Sequence, residues 1–310
     1  MFITITLNPV VDHTAVLPRF APGALNRFDA FRRDPSGKGL NVARALHRLG
    51  MPVVALCLLG GEEGRYIHER VSAAGIAVRP VWLSARTRIS VKICEEETAG
   101  LTELNERGPV VKAEELRAFR AALASTLKAG NTLVLSGSIP RGIEPAIYAE
   151  CIAMARQAGA WTVLDADGEA MRLGLQARPD LIKPNAFEAG QVLGKTIQSE
   201  TDATAAAREL ARYSEAVLLT MGAAGAILAV DRMVTRFFAP PVAAKSTVGC
   251  GDALLGALLA ARARGLSWEE AGRYGVAAGS AAARIAGTGA PVPEEIEDLL
   301  PRVKVERLRD

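Results

Sequence analysis

The chain lacks the paired cysteines and histidines that bind zinc or cross-link small domains. It contains four cysteines, Cys57, Cys94, Cys151 and Cys250, and no two of them are spaced as C-x-x-C. Its three histidines form no H-x-x-x-H pair. The sequence therefore argues against a zinc site and a disulfide framework, and it favours a reducing compartment.

A long apolar segment and a strong net charge are also absent. The apolar run after Asp252 is interrupted by Arg262 and Arg264, and the N-terminus has no basic region followed by an apolar one. Because a membrane span needs about 20 apolar residues, we expect neither membrane association nor a signal peptide. The formal net charge of +3 is too small to indicate nucleic-acid binding. These features predict a cytoplasmic globular protein.

Two common nucleotide-binding signatures are missing. No G-x-G-x-x-G follows the first predicted strand, which disfavours a dehydrogenase. The G-x-x-x-x-G-K-[ST] spacing of a Walker A loop is absent too. Lys38 nevertheless lies between Gly37 and Gly39 before a predicted helix, with Asn41 in its first turn. A lysine in this position suits a separate phosphate group.

Short apolar runs alternate with helical patterns along most of the chain. Strands are predicted at 3–7, 53–60, 131–137, 161–166, 180–185 and 216–222, and helices at 39–50, 114–130 and 147–160. Apolar strands that alternate with helices are typical of a parallel sheet covered on both faces. The sequence therefore predicts a doubly wound α/β fold that binds its ligands at the carboxyl ends of the strands.

Two segments interrupt this pattern. Residues 11–35 contain several prolines and little helical periodicity, whereas residues 87–107 alternate as antiparallel strands do. We predict that both form a small β-sheet lid on a single domain spanning 1–310. A pair of surface hairpins is the alternative.

The glycine-rich turn STVGCGD leads into a long apolar helix pattern. Backbone N–H groups of Gly249, Cys250 and Gly251 at a helix N-terminus can converge on an anion. Asp252 would face that anion, where a carboxylate can accept the proton of an attacking hydroxyl. Phosphoryl transfer needs both an anion hole and a base. The alternative is that Asp252 only caps the helix.

Two further motifs suit a nucleotide and its metal ion. In KPNAFE, Asn185 and Glu188 lie on one face of an opening helical turn and could hold a hydrated Mg²⁺ through water. An ordinary helix start is the alternative. In TMGAAG, Gly222 and Gly225 permit close approach of phosphate or ribose, although a plain β-turn would have the same glycines.

Basic residues also occur in the predicted lid. Arg88 and Lys92 lie on one face of a strand because their spacing is even. Together with Lys38 they could bind a phosphate already present on the substrate. Each cation alone could instead be a solvated surface charge.

In their order along the chain, these motifs resemble the ribokinase-like, phosphofructokinase-B family of carbohydrate kinases. The resemblance is carried by TLNPVVD, SGKGLNVA, SGSIPRG, KPNAFE, TMGAAG and STVGCGD, which together extend over essentially the whole chain. It implies a doubly wound α/β domain with a β-sheet lid that often takes part in dimerisation. It also implies ATP and Mg²⁺ as cofactors, a sugar hydroxyl as acceptor and Asp252 as the catalytic base.

Several segments are similar to the branch of 1-phosphofructokinases and tagatose-6-phosphate kinases, which implies a phosphorylated ketohexose as substrate. The expected substrate residues are Asp12, Gly37, Lys38, Asn41, Arg88, Lys92, Glu103, Asn105, Ser136 and Ser138. The expected nucleotide residues are Lys183, Asn185, Glu188, Thr220, Gly222, Gly225, Thr247 and Gly279. The expected anion hole is formed by Gly249, Cys250 and Gly251.

Some departures bear on the substrate. The family usually has G-G-K-G where this chain has Ser36, and G-A-G-D where it has Cys250. DADGEAM and residues 275–289 are similar to minor 6-phosphofructokinases. We expect phosphorylation of fructose 1-phosphate to fructose 1,6-bisphosphate, with tagatose-6-phosphate or fructose-6-phosphate kinase activity as alternatives. A catalytically silent sugar-phosphate or nucleotide sensor is the alternative outside the enzymes.

Overall fold

The computed structural model describes residues 1–98 and 100–308. The strands are β1 (Phe2–Thr6), β2 (Val10–Leu17), β3 (Ala30–Ser36), β4 (Val53–Gly60), β5 (Ala77–Leu83), β6 (Arg88–Glu95), β7 (Leu101–Asn105), β8 (Thr132–Ser136), β9 (Trp161–Asp165), β10 (Leu181–Ile182), β11 (Ala216–Thr220), β12 (Gly225–Val230), β13 (Met233–Phe238) and β14 (Lys304–Leu308). The helices are α1 (Lys38–Arg48), α2 (Gly61–Ala73), α3 (Ala113–Thr126), α4 (Ile147–Gln157), α5 (Gly168–Gln176), α6 (Ala186–Leu193), α7 (Glu200–Leu210), α8 (Cys250–Ala263), α9 (Trp268–Ala283) and α10 (Pro293–Leu299).

A ten-stranded sheet runs in the order β14-β13-β12-β11-β10-β9-β8-β1-β4-β5. The neighbouring strands β11, β10, β9, β8, β1, β4 and β5 pair in parallel. Strands β12, β13 and β14 extend the sheet beyond β11 by antiparallel pairing. All five residues of β1 are buried, as expected for a strand covered on both faces. The sequence did not predict β5 or the antiparallel extension.

Helices cover both faces of this sheet. One core contains residues of α1, α2, α8, α9 and α10, and the other contains residues of α3 to α7. The predicted strand at 180–185 is shortened to Leu181–Ile182, because Pro184 has no N–H to donate to the ladder. The predicted doubly wound fold is confirmed.

The second sheet has four strands in the order β3-β2-β6-β7. β2 pairs with β3 in antiparallel and with β6 in parallel orientation, and β6 pairs with β7 in antiparallel orientation. The small separate sheet expected from 11–35 and 87–107 is therefore present. Ala99, which belongs to the second of these predicted ranges, lies outside the described residues. The action of the small sheet as a lid, and the assignment of 1–310 to one domain, stay predictions.

The strands that follow β1 in the large sheet are added on one side of it as β4 and β5, and then on its other side beginning with β8. The order of the strands therefore reverses at β1. In doubly wound sheets, the crevice at such a point lies outside the carboxyl ends of the strands and is where ligands bind. Within residues 1–98 and 100–308, no helix is long and apolar enough to cross a lipid bilayer. The cytoplasmic location stays a prediction.

Candidate active site

A cavity of about 830 Å³ lies between the carboxyl edge of the large sheet and the small sheet. Its size is within the range of small-molecule sites, which is about 300–1,000 Å³. Among the predicted site residues, its lining includes Asp12, Gly37, Lys38, Asn41, Arg88, Lys92, Glu103, Asn105, Lys183, Asn185, Glu188, Thr220, Gly222, Gly225, Thr247, Gly249, Cys250, Gly251, Asp252 and Gly279. The fold thus gathers into one cavity residues that are far apart in the chain.

Two predicted substrate residues, Ser136 and Ser138, are not part of this lining. Ser136 ends β8 and is fully buried, and its Oγ has no hydrogen-bond partner within the described residues. The Ser138 Oγ accepts a hydrogen bond from Asn8 Nδ2 at 3.1 Å. Ser136 is therefore enclosed by packing, whereas Ser138 is exposed and lies outside the cavity lining.

Asp252 lies in the first turn of α8 and is 6% exposed. The helix begins after Gly249, whose φ of 79° is left-handed, and its start has no side-chain cap hydrogen bond. Instead of capping the helix, the Asp252 carboxylate accepts a hydrogen bond from Asn41 Nδ2 at 2.8 Å. The capping alternative therefore does not account for this carboxylate.

The electrostatic surroundings of Asp252 favour its protonated form. Burial raises the pKa of Asp252 to about 6, and the nearby carboxylate of Asp165 acts in the same direction. Lys183, Lys38 and the Asn41 hydrogen bond oppose this change. A carboxylate with such a pKa is ionised at neutral pH and is a stronger base than an ordinary aspartate.

The turn before Asp252 leaves its backbone accessible. The N–H groups that open α8 have no partners within the helix, so they can donate to an anion. A side chain at Gly251 would begin 3.5 Å from Lys183 Nζ, in the space that an anion would occupy. The Cys250 thiol donates to the Ser246 carbonyl at 3.6 Å, and burial raises its pKa to about 11. Cys250 therefore offers a backbone N–H, and no thiolate at neutral pH.

Opposite this turn, two lysines share one buried carboxylate. Lys38 Nζ lies 3.1 Å and Lys183 Nζ lies 3.2 Å from Asp165 Oδ1. Lys38 also lies 3.2 Å from Glu188 Oε1. Burial opposes the charge of Lys38, but these carboxylates outweigh it and raise the pKa of Lys38. Lys38 is thus held beside the cavity in charged form, and Lys183 is fixed next to it by the same carboxylate.

Asp165 is a residue whose function the sequence did not suggest. It ends β9, is fully buried, and leaves its Oδ2 without a hydrogen-bond partner in the described structure. Burial opposes its ionisation, but Lys183 and Lys38 outweigh that effect and lower the pKa of Asp165. An acidic residue at the carboxyl end of an apolar strand was the available signal.

The small sheet supplies a second cationic group. Lys92 Nζ lies 2.9 Å from Asp12 Oδ2 and 3.7 Å from Glu103 Oε1, so its charge is already paired. Arg88 instead donates to the backbone carbonyls of Asn8 and Glu106, each at 3.3 Å. Burial lowers the pKa of Arg88, although a guanidinium stays charged in any case. Its hydrogen bonds are long and to neutral acceptors, so Arg88 is better suited than Lys92 to an incoming anion.

Asn185 and Glu188 form a reciprocal capping box at the start of α6. Asn185 Oδ1 accepts from the Glu188 backbone N–H at 2.8 Å, and Glu188 Oε2 accepts from that of Asn185 at 2.9 Å. Glu188 Oε1 also accepts a hydrogen bond from Lys38, so the side chains of Asn185 and Glu188 are both held by neighbouring groups. Among the described residues, no group of three or more His, Cys, Asp or Glu side chains is arranged to hold a metal ion. The capping box and the Lys38 contact leave the side chains of Asn185 and Glu188 able to contact a hydrated ion through water.

Part of the cavity lining is apolar. It includes Ala239, Pro240, Pro241, Val242, Ala244, Val276 and Ala283. The TMGAAG turn borders it, and its two glycines differ: a Cβ on Gly225 would clash with the Phe237 carbonyl, whereas one on Gly222 would meet nothing within 4 Å. The sequence did not reveal this compartment, because apolar residues carry no chemical motif.

Taken together, a buried base beside a helix N-terminus, with fixed lysines opposite, is the arrangement of a small-molecule phosphotransferase. The pfkB family carbohydrate kinase model matches residues 5–295 of the chain, and the chain belongs to this family. It is therefore a phosphotransferase with an alcohol group as acceptor, as predicted.

Individual relatives agree with this placement. The chain is 37% identical to 1-phosphofructokinase of Rhodobacter capsulatus, over 98% of this chain and 97% of the relative. It is 35% identical to 1-phosphofructokinase of Bacillus subtilis, over 99% and 100%. The structure of phosphofructokinase-2 from Escherichia coli in complex with substrates and products superposes with a TM-score of 0.92 at 28% identity, covering 97% of this chain and 98% of that one.

Proposed function

We propose that this chain is an ATP-dependent 1-phosphofructokinase that converts fructose 1-phosphate and ATP to fructose 1,6-bisphosphate and ADP. The observation that carries the proposal is the position of Asp252, a buried carboxylate in a cavity that two cationic groups also line. Lys38 and Lys183 lie on the side of the large sheet, and Arg88 lies on the small sheet. The two named relatives at 35–37% identity support the same substrate.

In the proposed reaction, Asp252 accepts the proton of the sugar hydroxyl as its oxygen attacks the γ-phosphorus. The new O–P bond forms while the bond from the γ-phosphorus to the β,γ-bridging oxygen breaks, and ADP leaves. The N–H groups opening α8 donate to the transferring phosphoryl oxygens. Lys38 and Lys183 offset the negative charge of the phosphates, and Asp252 then releases its proton to solvent.

The nucleotide is assigned to the apolar compartment and the TMGAAG turn. A purine ring suits the apolar lining by Pro241, Val242 and Val276, and the phosphates are then assigned to the side of Gly251 and Lys183. Mg²⁺, when bound with the nucleotide, neutralises phosphate oxygens. Asn185 and Glu188 are placed to contact it through water.

One assay tests the substrate. ADP release is measured with fructose 1-phosphate, fructose 6-phosphate, tagatose 6-phosphate and unphosphorylated fructose. We expect the highest kcat/KM with fructose 1-phosphate. A higher value with either 6-phosphate would move the assignment to the corresponding alternative kinase, and ADP release with none of these sugars would support the silent sensor.

We also propose a homodimer formed through the small sheet. This sheet and the segment that leads into it expose several large apolar side chains, Leu25, Phe28, Phe31, Leu101 and Leu104. Exposed apolar clusters of this kind mark interaction surfaces. Light scattering is expected to give a dimer for the wild type and a monomer for Phe31→Glu/Leu104→Glu, and a monomeric wild type would contradict the proposal.

A further inference from the structure

Arg44 lies in α1, one helical turn beyond Asn41, and it is not part of the cavity lining. Its guanidinium donates three hydrogen bonds: Nη1 to Asn41 Oδ1 at 3.0 Å, Nη1 to the Thr288 carbonyl at 3.1 Å, and Nη2 to the Pro35 carbonyl at 2.8 Å. All three acceptors are uncharged oxygens. Because its hydrogen-bond acceptors are all neutral, Arg44 forms no ion pair through these contacts. Its contribution is therefore to orient the groups that accept its hydrogen bonds.

The first acceptor determines the orientation of the Asn41 amide. An amide has one acceptor oxygen and one donor nitrogen, and Arg44 is a donor only. With Oδ1 committed to Arg44, the Asn41 Nδ2 must face the other way, where it donates to Asp252 Oδ2 at 2.8 Å. One carboxylate oxygen of Asp252 is therefore held, and the other is left for the acceptor hydroxyl.

The other two acceptors join separate parts of the molecule. Pro35 belongs to β3 of the small sheet, and Thr288 belongs to the loop before α10. The Thr288 Cα lies 3.7 Å from where a Cβ on Gly249 would be, beside the start of α8. Arg44 thus links the base of the small sheet to the turn that carries Asp252.

We propose that Arg44 is a positioning residue for phosphoryl transfer: by orienting Asn41 it holds the Asp252 carboxylate in register with the acceptor hydroxyl. This inference rests on the proposed function. Arg44 touches neither substrate in the proposal, so its loss acts on the chemical step. A displacement of a catalytic group by about 1 Å can lower the rate about 10²-fold.

The test compares Arg44→Met, Arg44→Lys and a control, Arg264→Met. Arg264 is exposed, follows α8, and donates through Nη2 to the Leu49 carbonyl at 2.6 Å just after α1. It therefore connects the same two helices away from the cavity. We expect kcat to fall about 10- to 100-fold in Arg44→Met, while KM for ATP and for fructose 1-phosphate changes less than about twofold. Arg264→Met should keep its kcat.

Arg44→Lys retains the charge but cannot reach three acceptors at once. We expect it to lose part of kcat with little loss of thermal stability, which keeps the test valid if Arg44→Met folds poorly. The effect should also depend on Asn41. In an Asn41→Ala background, the further fall in kcat caused by Arg44→Lys should be less than about twofold, since coupled residues are not additive.

Unchanged kcat in both Arg44 variants would overturn the proposal. A selective rise in KM would overturn it as well, because Arg44 would then act in ground-state binding. So would full additivity with Asn41→Ala, because Arg44 would then not act through that residue. A wild type that phosphorylates none of the sugars would instead overturn the proposed function, and with it any role of Arg44 in that reaction.

Discussion

The carboxylate of Asp252 is held in a site that makes it a better base than a surface aspartate. Its pKa of about 6 follows from burial and from the neighbouring Asp165. In the proposed reaction, protonation of Asp252 as the pH falls through this value leaves it unable to accept a proton from the sugar hydroxyl. We therefore expect activity to be retained above about pH 6 and lost below it.

We expect kcat/KM to fall about tenfold per pH unit below an apparent pKa near 6, and to be level from that value to neutral pH. The measurement is a pH–rate profile with saturating ATP. Asp252→Asn should lower kcat by about 10² to 10⁴ and leave the KM for ATP nearly unchanged. An Asp252→Asn enzyme with near-normal turnover would show that Asp252 is not the base.

Arg88 is the first residue of β6, and Arg86 lies two residues before it, so the two arginines can be compared directly. Arg88 lines the cavity, whereas the Arg86 guanidinium is exposed and lies 2.6 Å from Glu106 Oε1. If Arg88 binds the phosphate already on the sugar, Arg88→Ala should raise KM for fructose 1-phosphate about 10- to 100-fold, since a charge-assisted hydrogen bond contributes about 1.5–3 kcal/mol.

Arg86→Ala, the matched control, should leave both KM values unchanged. The KM for ATP should move little in either variant. A fall in kcat with constant KM in Arg88→Ala would instead indicate contact with the transferring phosphoryl group. No change in either constant would show that Arg88 does not bind substrate.

At the level of elements, the small sheet has an outer strand with little burial. Most of the side chains of β7 are exposed, and β7 is an edge strand that pairs only with β6 among the described residues. Elements with few buried contacts open locally at low free-energy cost. The sheet also carries Asp12, Arg88 and Lys92 over the cavity, so ligands should hold it in place.

We expect amide hydrogen exchange in β6 and β7 to slow when fructose 1-phosphate and a non-hydrolysable ATP analogue are bound together. β14, an exposed edge strand of the large sheet, serves as the control and should exchange at the same rate with and without ligands. Equal exchange rates of the β7 amides in the free and bound enzyme would mean that the small sheet does not move or become ordered on ligand binding.

The start of α6 shows how one motif can serve two purposes. The sequence left open whether Asn185 and Glu188 act as a helix start or as contacts for a hydrated ion. In the structure they form the helix start, and they also lie in the cavity lining. A capping box rigidly orients its members, so the structural role supports the proposed one.

Across the whole molecule, the sequence predicted what depends on local patterns. Alternating apolar strands and helices predicted the doubly wound sheet, and glycine-rich turns predicted which strand ends lie at the cavity. It did not reveal Asp165 as the partner of Lys38, because their contact joins residues 127 positions apart. Nor did it reveal the apolar compartment, or that Ser136 is buried outside the cavity lining, since both depend on packing between elements.

The hydrogen bond between Asn41 and Asp252 spans 211 positions of the chain. During synthesis the N-terminal half, with the strands proposed to bind the sugar, leaves the ribosome long before the proposed base does. A chain that ends before α8 lacks the proposed base, and it also lacks α8 and α9, which belong to the same core as α1 on one face of the large sheet. Catalysis therefore starts only when the last helices have packed, and incomplete chains consume no ATP by this reaction.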